Sequence, residues 1–216
     1  MRWIAVLLLA LVVPMGAAIA AASTPQEAFV DKLGQQAVGV LNDNSVTAGK
    51  RHGVFAKMLT DDFDLKTIGH FVLGRHWREA SDEQQEKYQQ LFSKMIVSVY
   101  TARFDNYAGQ QFVVKGFTPV DGAPNDTMVH SQILQTDGGP PVAVDWRVRQ
   151  QDNPNDYKIV DVMVEGVSMS VTQRSEFDSI VAQGGIDGLL TDLQNRVSNG
   201  TSSVAPAKKS ASRDAE

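Results

Sequence analysis

The chain has 216 residues, 20 basic and 25 acidic, for a formal net charge of −5, with 43% hydrophobic residues and no cysteine. The acidic balance argues against nucleic acid, which needs a basic footprint. The missing cysteines exclude disulfides, thiol catalysis and cysteine-based metal sites. The length suits one domain with a sizeable core.

Residues 1–22 read as a cleavable export signal: Arg2, an apolar run over Ile4–Val13, then Ala20-Ala21-Ala22 as a small-residue cleavage site. The run is too short for a membrane span. Its removal takes away Arg2 and leaves 19 basic against 25 acidic residues, a net charge of −6. Residues 23–198 are then the single domain.

Thr24-Pro25-Gln26-Glu27 is a capping box with proline at the first helical position. The helix that follows has its apolar stripe at Phe29, Val30, Leu33, Ala37, Val40 and Leu41. A second helix is expected over Lys50–Leu59, with Val54, Phe55, Met58 and Leu59 inward. Asp64 is a good cap for a third, Leu65–Leu73, which Gly74 ends. The longest helix starts at Ser81, with Gln84 three residues on as its capping partner, and runs to about Asn106. Tyr88, Leu91, Phe92, Met95, Ile96, Val99, Tyr100 and Phe104 make its stripe.

After Gly109 the apolar period changes to two. Gln111–Val120, Thr127–Gln135, Val142–Gln150 and Tyr157–Glu165 read as strands, joined by segments rich in Asp, Asn, Gly and Pro. Three short links make an antiparallel meander. In the third strand Val142, Val144, Trp146 and Val148 face one way, and Asp145, Arg147 and Arg149 the other, so one face is covered and one is wet. The fourth is apolar on both faces, which leaves its parity open. Gly166 ends it, and Ser168 and Ser170 lead into a helix carrying Val171, Phe177, Ile180 and Val181. Gly184 and Gly185 stop that helix, and another follows with Ile186, Leu189, Leu190 and Leu193. The expected fold is α+β: a four-stranded antiparallel meander with about six helices on one face. The tail from Asn199 has little apolar residue to pack and is expected to be disordered.

The catalytic inventory is poor. Gly166-Val-Ser168-Met-Ser170 lies between strand and helix, as a nucleophile elbow does, but lacks the final glycine, and the sheet is antiparallel. The reading preferred is that Ser168 or Ser170 caps the helix. His52, His70, His76 and His130 form no metal pattern. Asp161 is either a general base in a pocket or, preferably, a paired or edge-exposed structural acid. Arg174 and Glu176 flank Phe177 and are read as solvated, although a cation near a pocket mouth suits a phosphate. No catalytic residue, cofactor or metal site is expected. The large apolar residues either fill a core or line a cleft between helices and sheet, where small molecules bind.

Asp161-Val-Met-Val-Glu165-Gly166-Val-Ser168, Arg174-Ser-Glu-Phe177 and Gly184-Gly185-Ile186-Asp187-Gly188-Leu189 together resemble the C-terminal signature of the MlaC/toluene-tolerance family. Leu73-Gly74-Arg75-His76-Trp77-Arg78, with Ser81 and Gln84, resembles a second signature, and the two keep their order and separation. The resemblance covers roughly residues 25–195. It implies a periplasmic phospholipid carrier, or a hopanoid carrier as in some relatives. The implied partners are an inner-membrane ABC-type lipid transporter and an outer-membrane lipoprotein–porin complex. It also implies an apolar lipid pocket between helices and sheet. The residues expected to line it are Phe92, Met95, Val99, Val144, Trp146, Val148, Val160, Val162, Phe177 and Ile180. An enzyme of this fold class, with Asp161 in a polar pocket, and an adaptor with a filled core are the alternatives.

Overall fold

The structure, a computed structural model, describes residues 23–43, 45–103 and 109–199. The expected export signal, the helix end near Asn106 and the tail beyond Asn199 lie outside these residues. The elements are α1 (Pro25–Asn42), α2 (Ala48–Asp62), α3 (Leu65–Leu73), a 3-10 turn (Gly74–Arg78), α4 (Asp82–Arg103), β1 (Gln111–Pro119), β2 (Asp126–Leu134), β3 (Val142–Gln150), β4 (Tyr157–Val164), β5 (Val167–Ser168) and α5 (Met169–Asn199). Among the described residues no helix is long and apolar enough to cross a membrane.

Local chemistry sets the helix starts. Glu27 N–H donates to Thr24 Oγ1 at 3.2 Å and Thr24 N–H to Glu27 Oε2 at 2.8 Å, a complete capping box. Ser81 and Gln84 repeat it for α4, at 3.0 and 3.2 Å. Asp64 Oδ1 accepts from Thr67 N–H at 2.9 Å and starts α3.

The sheet is antiparallel with strand order β1-β2-β3-β4-β5. It has five strands where the sequence suggests four. Glu165 (φ 50°) and Gly166 (φ 76°) both take left-handed conformations, so the chain turns in a two-residue hairpin instead of leaving the sheet. Val167 and Ser168 then pair with Val164 and Met163. The two helices expected after the sheet follow one another directly within α5, on either side of Gly185, whose backbone is non-helical (φ 65°, ψ −171°). Only glycine takes that conformation without strain, so the helix turns there and resumes at once.

A bulge settles the parity of β4. Arg147 pairs with Asp161 but Val148 with Ile159, which makes Val160 the extra residue. Ile159 therefore shares the covered face with Val162 and Val164, although the intervals between them are not all even.

Among the described residues three apolar clusters make up the core. The largest joins α3, α4 and α5 through Val72, Leu73, Tyr88, Phe92, Phe177, Leu189 and Leu193. Tyr88 stacks on Phe92 at 5.7 Å between ring centroids, and Phe177 meets both rings edge-on. Burial pushes the Tyr88 phenol well above its ordinary pKa, and its hydroxyl donates to Gly69 O at 3.0 Å. The second cluster joins α1, α2 and β4 through Leu33, Phe55, Met58 and Ile159. The third sets Val30 of α1 on Val129 and Val148. Buried His76 ties the 3-10 turn to α5, with Nδ1 2.6 Å from Glu79 Oε2 and Nε2 3.0 Å from Asp178 Oδ1.

The other sheet face is polar. His130 bridges Asp145 and Thr118 there. Buried Asp126 takes Arg147 Nε at 2.7 Å and Arg149 Nε and Nη2 at 2.7 and 2.8 Å. Burial raises the Asp126 carboxyl, but the hydrogen bonds from Arg149 and Arg147 outweigh it and hold the group below its ordinary value.

Candidate functional site

Two apolar cavities lie between the helices and the covered face of the sheet. The first, about 200 Å³, is walled by the end of α2, by α3, α4 and the first turns of α5, and by β3 and β4. Its lining includes Leu65, Ile68, Val72, Phe92, Ile96, Val162, Val164 and Met169. The second, about 360 Å³, lies under α1 and α2 against β1, β2 and β3, with Leu33, Ala37, Leu41, Phe55, Met58, Phe112 and Ile133 in its wall. Leu59, Phe63 and Trp146 line both, so the two cavities meet at a shared partition.

Trp146 is fixed in that partition. Its Nε1–H donates to Ser131 Oγ at 2.9 Å, and Ser131 Oγ–H donates to Val144 O at 2.7 Å. Its ring meets Phe112 edge-on at 6.0 Å. Phe112 in turn lies under α1 where residue 34 is glycine: a Cβ there would stand 2.2 Å from Phe112 Cδ1.

The expected lining residues divide. Phe92, Trp146 and Val162 line the cavities. Val144 is buried beside Trp146 and pairs with Val164, a lining residue. Met95, Val99, Phe177 and Ile180 belong to the α3–α4–α5 cluster. Val148 packs under α1 with Val30 and Val129. Val160 is buried at the bulge. Sequence reasoning assigned the stripes of α1 and α2 to the core and did not place the second cavity beneath them. Nothing in an apolar stripe distinguishes a wall from a filled interior.

The polar groups of the first cavity lie at the β4–α5 junction: Asp161, Ser170 and Gln173. Asp161 Oδ2 accepts from Ser168 Oγ at 2.6 Å, and Oδ1 accepts from Ser170 N–H at 3.2 Å and Val162 N–H at 2.9 Å. Ser168 Oγ also accepts from Val171 N–H at 3.1 Å, which makes it the cap of α5. Both sides of Ser168 are thus engaged in structure, and no histidine bonds it among the described residues. Asp161 likewise holds the chain reversal together. Arg147, its neighbour across the strands, is turned to Asp126. Arg174 lies over the Phe71 ring at 5.4 Å, on the α3 side of α5. Among the described residues no group of three or more metal-ligating side chains could hold a metal ion.

Residues 31–195 match the protein-family model described as MlaC protein. The chain is 27% identical over 135 residues to the intermembrane phospholipid transport system binding protein MlaC of Haemophilus influenzae. That alignment takes in 62% of this chain and 63% of the relative. The fold is similar, with a TM-score of 0.66, to the phospholipid-binding protein of Ralstonia solanacearum solved in complex with a phospholipid. That match covers 81% of this chain and 97% of the other at 24% identity, and it shows the fold. With the family model spanning most of the domain, on a sheet-and-helix frame that holds two adjoining apolar cavities, the chain belongs to the MlaC family.

Proposed function

We propose that this protein carries phospholipid through the periplasm, with its acyl chains held between sheet and helices. The observation that carries the reading is the pair of apolar cavities meeting at Leu59, Phe63 and Trp146. A diacyl lipid has the same form, two chains leaving one glycerol, and each cavity takes part of one chain. The names of the Haemophilus and Ralstonia relatives support the cargo.

The physical need is large. Exposing a sixteen-carbon chain to water costs on the order of 12 kcal/mol. A dry slot removes most of that cost without any bond being made or broken, and Ser168 and Asp161 are already engaged in structure. Release then needs a state that binds the lipid less well. An inner-membrane ABC-type transporter and an outer-membrane lipoprotein–porin complex would supply it. A rigid polycyclic hopanoid fits a divided slot less well than two flexible chains.

Native mass spectrometry with lipid extraction, on protein taken from periplasm without detergent, tests the reading. The expected result is a stoichiometric adduct of phospholipid mass. Val162→Asp, which puts a charge into the wall of the first cavity, should remove most of it while leaving the fold intact by circular dichroism. A clean apo mass, unchanged after incubation with liposomes, would overturn the proposal.

A further inference from the structure

α5 presents Ser170, Gln173, Phe177 and Val181 inward, all under a tenth exposed. Phe177 and Val181 are ordinary core residues, and Ser170 has its N–H and hydroxyl engaged at the start of the helix. Gln173 is a long polar side chain on the same inward face. It is 5% exposed and lines the mostly apolar first cavity, where Asp161 and Ser170 are the other polar groups. Its Nε2 donates to Glu176 Oε2 at 3.0 Å, and Glu176 Oε1 receives Arg196 Nη2 at 2.7 Å. A carboxylate only accepts, so this contact fixes which end of the amide is nitrogen. The chain Arg196–Glu176–Gln173 thereby holds the carboxamide in one orientation. Among the described residues the amide makes no other hydrogen bond. One N–H and the carbonyl oxygen of this lining residue are thus left without a partner among the described residues.

A leucine at 173 would serve the helix and the core better, since a buried amide with an unmade hydrogen bond destabilises the fold. Departures of this kind gather at functional sites. Resting on the phospholipid reading above, we propose that Gln173 is the polar anchor of the first cavity and donates its remaining N–H to an acyl-ester carbonyl of the bound glycerolipid. The chemistry narrows the group it recognises. Among the described residues no cationic side chain lines either cavity, so none of them offers a phosphate a counter-charge there. The Asp161 carboxylate is taken up by three donors of its own chain. What a single oriented amide N–H suits is a neutral carbonyl, and in a glycerophospholipid the carbonyls lie where the chains join the glycerol. The anchor would thus set how deep the chains enter, because the ester marks where each one begins.

The test compares two phospholipids with the same headgroup and chain length, one diester and one diether. The diether lacks both carbonyl oxygens. Wild-type protein is loaded by exchange from vesicles holding equal amounts of the two, and the bound lipid is read by native mass spectrometry. The diester should be favoured about fivefold, the worth of one hydrogen bond. Gln173→Leu should bring the ratio to one by weakening diester binding alone, with diether binding and thermal stability no lower than in the wild type. A wild-type ratio of one, with both lipids bound, overturns the anchor and leaves the carrier reading standing. A preference that survives Gln173→Leu also overturns it. Failure to load either lipid would overturn the carrier reading instead.

Discussion

Replacing Trp146 by alanine tests the partition directly. The side chain borders both cavities, packs edge-on against Phe112 and donates to Ser131. A buried Trp→Ala change costs about 3–5 kcal/mol. Trp146 faces hollow space on two sides, so fewer contacts are lost and the low end, about 3 kcal/mol, applies. The hydrogen bond adds little, because Ser131 Oγ–H keeps its acceptor, Val144 O, at 2.7 Å and no buried donor is orphaned. In urea the lipid-free midpoint should fall by about 1–2 M. The effect on lipid is separate. If the indole covers about two methylenes of each chain, its removal weakens binding by about 3 kcal/mol, on the order of a hundredfold. Trp146→Phe is the control: it keeps a ring in the partition, so both changes should stay small. Urea unfolding of delipidated protein, with vesicle-to-protein lipid transfer, measures the two quantities independently. An alanine variant that loses the expected stability yet holds lipid as tightly as wild type would refute the partition.

Two further predictions follow from the frame around the cavities. Asp126 has its folded-state pKa lowered by Arg149 and Arg147, so its stabilising contribution is fully present above the unfolded value of about 3.9 and is lost as pH falls through the lower folded value. Asp126→Asn should cost about 1–2 kcal/mol at pH 7, a figure kept modest because both guanidinium groups are about a third exposed. The gap should narrow in urea titrations as pH falls below the unfolded value and through the lower folded one, and a gap independent of pH would disprove the assignment. Gly34→Ala sets helix propensity, worth about 1 kcal/mol in favour of alanine, against a Cβ 2.2 Å from the Phe112 ring. The clash should win, lowering thermal stability by about 1–3 kcal/mol and pushing Phe112 into the second cavity. Bound lipid should then shift to shorter total chain length by mass spectrometry.

The parts legible in the sequence are those set by neighbours along the chain. Thr24, Asp64, Ser81 and Ser168 announce helix starts because a cap is a contact across three residues. β3 declares its faces because valines and tryptophan alternate with charges. The misreadings come from special backbone conformations. Glu165 at φ 50° disguises a hairpin as a strand end, whereas the helix break expected at Gly184-Gly185 does fall at Gly185. The bulge at Val160 switches the parity of β4 within an unbroken apolar run, where no polar residue marks the change. The site itself was legible only as a set of apolar residues. Phe92 is 1% exposed, belongs to the largest filled cluster and also walls the first cavity. The substitution pattern of a filled core and that of a hollow one are therefore the same to a reader of residue types. Gln173 was passed over, because the stripe of that helix was drawn through Val171, which is half exposed, and not through Gln173, which is buried.

The hollow has an energetic consequence that bears on how such a carrier works. A buried apolar void costs about 24 cal/mol per Å³ when the surrounding structure does not collapse. Both cavities are partly open to solvent, so roughly 5 and 9 kcal/mol, the figures for fully enclosed voids of about 200 and 360 Å³, are upper bounds that water lowers. Each is comparable with the whole stability of an ordinary domain, about 5–15 kcal/mol. The chain meets this by backing the cavity walls with filled packing: Phe92, itself a wall, is held by its ring contacts to Tyr88 and Phe177, and Val30, Val129 and Val148 pack under α1 away from the hollow. On the proposed function, acyl chains in the two cavities would restore the missing contacts and make the loaded form the more stable one by mass action. A lipid held in this way does not leave merely because water surrounds the protein. The partner that accepts it must disturb the walls, and the shared partition of Leu59, Phe63 and Trp146 is where one movement changes both cavities together.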